Sequence, residues 1–360
     1  PPLGIAATDD STLVIRLARP DPLLLRKLAL PGVAVPWSAK PGPGGWPSGL
    51  GAYRVIAASP GRLTLARGDA AAGRSARLSG TADPDTVYVR FVRGAGRVAV
   101  LVRAGVPDLV WPVPPGFDLS SLRGDYGVRA RPAVPARRLL LIMRPDLPPT
   151  TKAPARQALA YGIDRPGVWA KLGRRGLPLD GWLPGAPAFD FPRRDPEQVR
   201  AWLDRGRFRR SLHVTLAYSA DGAGAEAAPA LQAEWARLGL DAERRPLEPS
   251  AFAEAARARS GAQLMLVENQ PLLDDAAGEL VTLVTPPRGP VIGSVRTGWM
   301  TREFDPWLRA GASQPLDPRY AQRRLAEDRI ALPIANLPWF WIERAASPAS
   351  FHPWFGPGSR

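Results

Sequence analysis

At 360 residues, with 45% hydrophobic content, 12 Trp and 10 Phe, the chain can bury the core of one large or two ordinary domains. No apolar run approaches the ~20 residues of a membrane span, and the absence of cysteine excludes disulfides, thiol nucleophiles, iron–sulfur clusters and thiolate zinc sites. The net charge of +15 is carried by arginine scattered along the chain without interleaved aromatics or a basic arm, which reads as a solvated surface, so no nucleic-acid partner is expected.

In chain order, the N-terminus PPLGIAATDD lacks the basic, apolar and small-residue regions of a leader. Thr12 to Leu17 alternates as a strand, and Pro20-Asp21-Pro22 opens a short helical pattern over Leu23, Leu24, Leu25 and Leu28. After the Pro/Gly loop of residues 40–51, AYRVIAA, RLTLARG and TVYVRFV read as short strands, RVAVLVRAG as a helix closing at Gly105, and DLVWPVPPG as a strand entering a Pro-rich loop. This first third is mixed α/β with mostly antiparallel pairing. Arg138 to Arg144, RLLLIMR, is a buried strand. It is followed by a helix capped at Thr151, with Pro154 in its first turn, and a second helix capped at Asp164 that buries Val168, Trp169 and Leu172.

Residues 212–268 carry the clearest architectural signal. His213 to Ser219 alternates as a strand, Ala223 to Leu238 is a helix ended by Gly239, and Leu240 to Leu247 is a second strand. Ser250 caps a helix from Ala251 to Arg259, Gly261 stops it, and Gln263 to Val267 is a third strand. This β-α-β-α-β run with short loops builds a parallel sheet covered by helices. Ligands in such sheets bind beyond the carboxyl ends of the strands, which points to the loop Glu268-Asn269-Gln270-Pro271.

Motifs for catalysis are sparse. Gly68 to Ser75 has phosphate-loop spacing with arginine in place of lysine, but SARLSGTADPD after it breaks up instead of starting a helix, so it reads as a hairpin loop. Asp274-Asp275 with Glu279 is the one acidic group that could serve acid–base or cation chemistry, and it reads as a helix start. The two histidines, His213 and His352, lie far apart, which leaves a metal site or triad almost nothing to draw on. Leu337 to Ile342 reads as a buried aromatic strand. No catalytic residue, metal or cofactor is expected, and the chain reads as a binding protein rather than an enzyme.

Several stretches resemble the extracytoplasmic solute-binding proteins that serve peptide, nickel and related ABC importers. Residues 155–187, ARQALAYGIDRPGVWAKLGRRGLPLDGWLPGAP, resemble that family's VRQALAYAIDR signature and its continuation, and are the most specific match. TDDSTLVIRLARPDPLLLRKLA, SGLGAYRV, RVAVLVRAGVPDLVWPVPP, residues 214–248 and residues 293–341 are similar to further family segments in the family's order. The resemblance implies a two-lobed, type II periplasmic-binding-protein-like α/β fold. The first lobe would comprise residues 1–139 plus 344–360 and be incomplete, its N-terminal portion and signal peptide lying before Pro1. Residues 140–343 would form the second α/β lobe.

That resemblance implies a substrate-binding component for peptides or a related small solute, held in the cleft between lobes. It would be a monomer working with a membrane ABC permease, in the periplasm or anchored to the cell envelope. After the third strand the family shows G-W-x-x-D, whose tryptophan and aspartate contact peptide ligands. Here Asn269 stands at the tryptophan and Leu272 at the aspartate, so a peptide amine loses its expected anchor. The family's asparagines are replaced by Val295 and Thr301, and its tyrosine by Trp299. The ligand-binding candidates are Glu268, Asn269 and Gln270 at the strand end, Trp299 and Trp111 as apolar walls, and Arg296 for a ligand carboxylate. The alternative is the ligand-sensing domain of a transcription regulator, which shares this fold, although no helix-turn-helix pattern is visible.

Overall fold

The computed structural model describes residues 4–17, 24–28, 53–67, 84–114, 117–122, 127–173, 179, 181, 183, 188, 191–208, 212–258, 261–269, 276, 299 and 317–344. They fall into two compact units, Pro1–Arg26 with Ala136–Pro338, and Lys27–Pro135 with Trp339–Arg360. The long strands β7 (Val128–Met143) and β11 (Ala331–Arg344) contribute residues to both.

In the first unit, β1 (Gly4–Ala7) and β2 (Leu13–Arg16) form an antiparallel ribbon. The main sheet runs β11-β7-β10-β8-β9, where β8 is Leu212–Ser219, β9 Leu240–Leu247 and β10 Leu264–Asn269. As the short-loop pattern predicted, β8 pairs parallel with both β9 and β10, whereas β10 pairs antiparallel with β7, from Leu264↔Met143 to Asn269↔Arg138. The run Leu139 to Met143 is buried throughout because this strand is flanked on both edges and covered on both faces. Strand β9 closes the sheet with Asp241, Glu243, Arg244, Arg245 and Pro246, and these charges and the proline discourage a further strand from adding to the edge.

The helices are α1 (Leu24–Leu28), α2 (Ala95–Arg103), α3 (Ala153–Tyr161), α4 (Arg165–Leu172), α5 (Pro196–Arg205), α6 (Ala223–Arg237), α7 (Pro249–Arg257) and α8 (Pro318–Asp328). Helix α6 lies against β8, β9 and β10, α4 packs on α6, and α3 packs on α5. Pro229 is accommodated within α6 because it stands on the exposed side. The cap expectations shift by a residue or two. Lys152 rather than Thr151 precedes α3, Glu248 rather than Ser250 precedes α7, and Asp164 precedes α4 without a side-chain cap bond. The side-chain caps are Asp195 of α5, which accepts from the N–H groups of Glu197 and Gln198, and Asp317 of α8, which accepts from that of Arg319.

Polar side chains are built into this core with partners. Trp235 is fully buried and its indole N–H donates to the carbonyl of Leu159 at 3.0 Å. Arg156 donates to the carbonyls of Asp328 at 2.7 Å and Thr150 at 2.8 Å. Burial pushes its guanidinium below the ordinary arginine value and Asp328 opposes that shift, but arginine stays charged.

Glu234 on α6 accepts from Arg194, and from Arg237 at 2.6 Å. Burial pushes its carboxyl up, and the two guanidiniums outweigh that and hold it below its ordinary 4.5. A carboxyl with a depressed folded pKa adds stability that is present above its unfolded value and is lost as pH falls through the folded one. Glu234→Gln is therefore expected to lower the unfolding midpoint at neutral pH and to flatten its decline below about pH 4.5. Urea unfolding of both proteins across that range checks this, and parallel pH profiles would show that the pair contributes nothing to acid sensitivity.

The second unit holds the antiparallel sheet β3 (Tyr53–Ser59), β4 (Arg62–Arg67) and β5 (Thr86–Arg90). A bulge interrupts its register between Val55 and Ala57, and Gly61 takes φ +81° in the tight turn. Val98 and Val102 of α2 pack with Phe117 and Ile342. DLVWPVPPG yields only the short strand β6 (Leu109–Val110), paired with Ile342 and Glu343 of β11. Beyond it Trp111-Pro112 is a cis peptide bond.

Candidate functional site

The carboxyl ends of the parallel strands β8 and β10 lie side by side, and polar residues gather there. At the end of β8 the hydroxyl of Ser219 donates to Asp221 at 2.6 Å, and the N–H of Ala220 donates to the carbonyl of Leu247 on β9 at 2.7 Å. Asp221 is exposed, and Gly222 at φ +94° turns the chain into α6. At the end of β10, Glu268 accepts from the N–H of Ala223, the first residue of α6, at 2.6 Å. Its other oxygen accepts from Arg137 of β7. Asn269 stands opposite Arg138 across the antiparallel pair and is half-buried.

Glycine suits position 222 because its φ lies in the left-handed region, and a Cβ there would press on Oε1 of Glu268. The carboxylate meets the positive end of α6 and a guanidinium together, which stabilise it by the helix dipole and by a charge-assisted bond.

The expected residues are not all brought together. Glu268 and Asn269 share this strand end, whereas Trp299 is buried in the core of the same unit with its indole N–H donating to Asp328 at 3.0 Å. Trp111 belongs to the second unit, where its ring lies 6.0 Å from Trp339 and 6.3 Å from Trp341. Trp111 and Trp339 of that cluster are half-buried, and Trp341 is buried. Gln270, Arg296, Asp274, Asp275, Glu279 and the loop Gly68 to Ser75 lie outside the described residues. His213 sits at the other end of β8, exposed and paired with Asp241 at 2.9 Å.

Sequence reasoning missed Arg137 and Asp221. The SADG turn before α6 marked the position of Asp221, but nothing local tied Arg137 to a glutamate 131 residues away. The arrangement holds hydrogen-bond donors and acceptors of both charges around a strand end, which suits recognition of a small polar solute. Among the described residues no group of three or more His, Asp or Glu could hold a metal ion, and no helix is long and apolar enough to cross a membrane.

A family model described as bacterial extracellular solute-binding proteins, family 5 middle, matches residues 1–289. Comparison with curated protein sequences gives no match. Among solved structures, the chain is similar to the ABC transporter substrate binding protein CtaP from Listeria monocytogenes, with TM-score 0.74, 15% identity, and coverage of 96% of this chain and 73% of that one. It is similar to AgaA from A. tumefacien R10, solved with agropinic acid, with TM-score 0.71, 17% identity, and 95% and 72% of the two chains covered. The Escherichia coli murein tripeptide binding protein MppA gives TM-score 0.67, 17% identity, and 95% and 70% coverage. At such identities these structures share the fold, an α/β architecture of mixed sheets with flanking helices. With the family match spanning most of its length, the chain belongs to the bacterial extracellular solute-binding proteins, family 5.

Proposed function

We propose that this protein is the substrate-binding component of an ABC importer, taking up a peptide or a related small polar solute outside the cytoplasm and presenting it to a membrane permease. The observation that carries this reading is the polar cluster of Asp221, Glu268 and Asn269 at the carboxyl ends of β8 and β10, where open α/β sheets bind their ligands. Membership of an extracellular binding family supports it. So do two structural neighbours, AgaA, solved with agropinic acid, and the murein tripeptide binding protein MppA.

The family's two lobes would be residues 1–139 with 344–360 and residues 140–343. Asn269 and Gln270 are the candidates for hydrogen bonds to the solute, and Arg296 for a ligand carboxylate.

Denaturing the purified protein and analysing the released small molecules by mass spectrometry is expected to yield a peptide or other polar solute. Adding that solute back at a hundred times its Kd should stabilise the fold by about 2.7 kcal/mol. A clean blank, with binding to DNA alone that weakens steeply with salt, would overturn the reading in favour of a sensor domain.

A further inference from the structure

Glu268 is the one carboxylate on the β10 segment of the site, and both of its oxygens are engaged within the chain. Oε1 takes the N–H of Ala223 at 2.6 Å and Oε2 takes the Arg137 guanidinium. The backbone approaches it closely, since Gly222 at φ +94° lies against Oε1 where a Cβ would press on the carboxylate. The two side chains remain 23% and 21% exposed, so a solute can reach their edge, but it meets an ion pair rather than a lone negative charge.

We infer that Arg137 neutralises Glu268, so that the solute is recognised at this end of β10 without an ammonium group. This rests on the solute-binding reading above and narrows its ligand class. The charge of Glu268 is satisfied internally, and the residue beside it at the end of β10, Asn269, is neutral. An ammonium approaching Glu268 would have to displace a guanidinium held by a charge-assisted bond, and would gain only what that displacement loses. A solute that places an amide, hydroxyl or other neutral polar group there avoids that cost. Glu268 is thus a positioning residue. It fastens the start of α6 to β10 and β7, and Arg137 covers the negative charge that this strand end would otherwise offer.

The test compares trialanine with N-acetyl-trialanine by calorimetry on the full chain, in wild type, Arg137→Gln, Glu268→Gln and the double variant. Wild type is expected to bind the two peptides with similar affinity. R137Q uncovers the carboxylate and should shift the preference about tenfold toward the free amine, and adding E268Q should abolish that shift. A merely structural role would weaken both peptides equally.

A second measurement does not depend on peptide binding. Carbodiimide coupling of Glu268 to glycine ethyl ester, read by peptide mass spectrometry on folded protein, should run several-fold faster in R137Q than in wild type. Two results overturn the proposal: a wild-type preference for the free amine of tenfold or more, or equal coupling rates in wild type and R137Q. Protection of Glu268 in a protein that releases no solute would leave the pair standing and sink the solute-binding reading instead, so the two failures are distinguishable.

Discussion

Trp235→Ala is expected to destabilise the protein by about 3–5 kcal/mol, a large share of the roughly 5–15 kcal/mol that holds a domain folded. Trp235 stands on α6 with no exposed surface, in the core shared with α3 and β9. The ring lies so close to Gly162, just past α3, that a Cβ there would be 2.8 Å from its Cδ1 and 3.1 Å from Leu240. Truncation would open a cavity at the junction of three elements whose backbones are fixed by their own hydrogen bonds, so little of the volume can be refilled. It would also remove the donor to the Leu159 carbonyl at 3.0 Å.

Trp235→Phe separates the two contributions. It keeps most of the apolar volume and leaves the Leu159 carbonyl with the Gly162 N–H at 3.2 Å, so losing the indole bond should cost about 0.5–1.5 kcal/mol. Urea midpoints measured at unchanged slope would check both values. A loss below about 1 kcal/mol for W235A would mean that this junction can collapse, contrary to the packing described.

Asp146→Ala should cost about 3 kcal/mol, at the lower end of the range for breaking a buried ion pair because Asp146 keeps contact with solvent. Arg144, at the end of β7, has no exposed surface. Its Nε and Nη2 donate to the two carboxylate oxygens of Asp146 at 3.1 and 3.0 Å, and Nη1 donates to the carbonyl of Ala258 at 3.0 Å. The Arg144 carbonyl accepts from the Thr150 hydroxyl, so the guanidinium and backbone together pin the turn after β7 to the segment that follows α7.

Removing the carboxylate takes the Asp146 anion away from a buried positive charge, and because that charge is buried, added salt screens it poorly. The double variant Arg144→Met with Asp146→Ala should recover much of the loss, since a buried ion pair gains little over an apolar side chain of similar length. Thermal unfolding of the two variants decides this. If the double variant falls further than D146A, the guanidinium's bond to Ala258 matters more than its charge pairing. Both sites brace the strands that carry the candidate binding residues, so each variant should weaken solute binding only as far as it unfolds the protein.

The β8-α6-β9-α7-β10 unit was legible in the sequence because every part of it is signalled locally. The alternation of HVTLAYS, the helical spacing up to Trp235, and the stops at Gly239 and Gly261 each act within a few residues of one another. The strand through Leu139 to Met143 was legible because burial on both faces demands an unbroken apolar run. The first half of β7, VRARPAVPA, was not, because its arginines and prolines resemble a loop and only its neighbours make it a strand.

The place of Glu268 and Asn269 at the end of β10 followed from the local strand–helix pattern. Their chemistry did not follow, because it depends on residues that share no local pattern. Arg137 reaches Glu268 across 131 residues of chain, and the glycine at 222 answers to a carboxylate 46 positions on. The count of 48 basic residues likewise does not distinguish Arg144 and Arg156, locked in the core, from arginines in water. Short-range periodicity and turn chemistry write the elements into the sequence; which charges meet, and so which remain available to a ligand, is settled only when strands distant in the chain come into register.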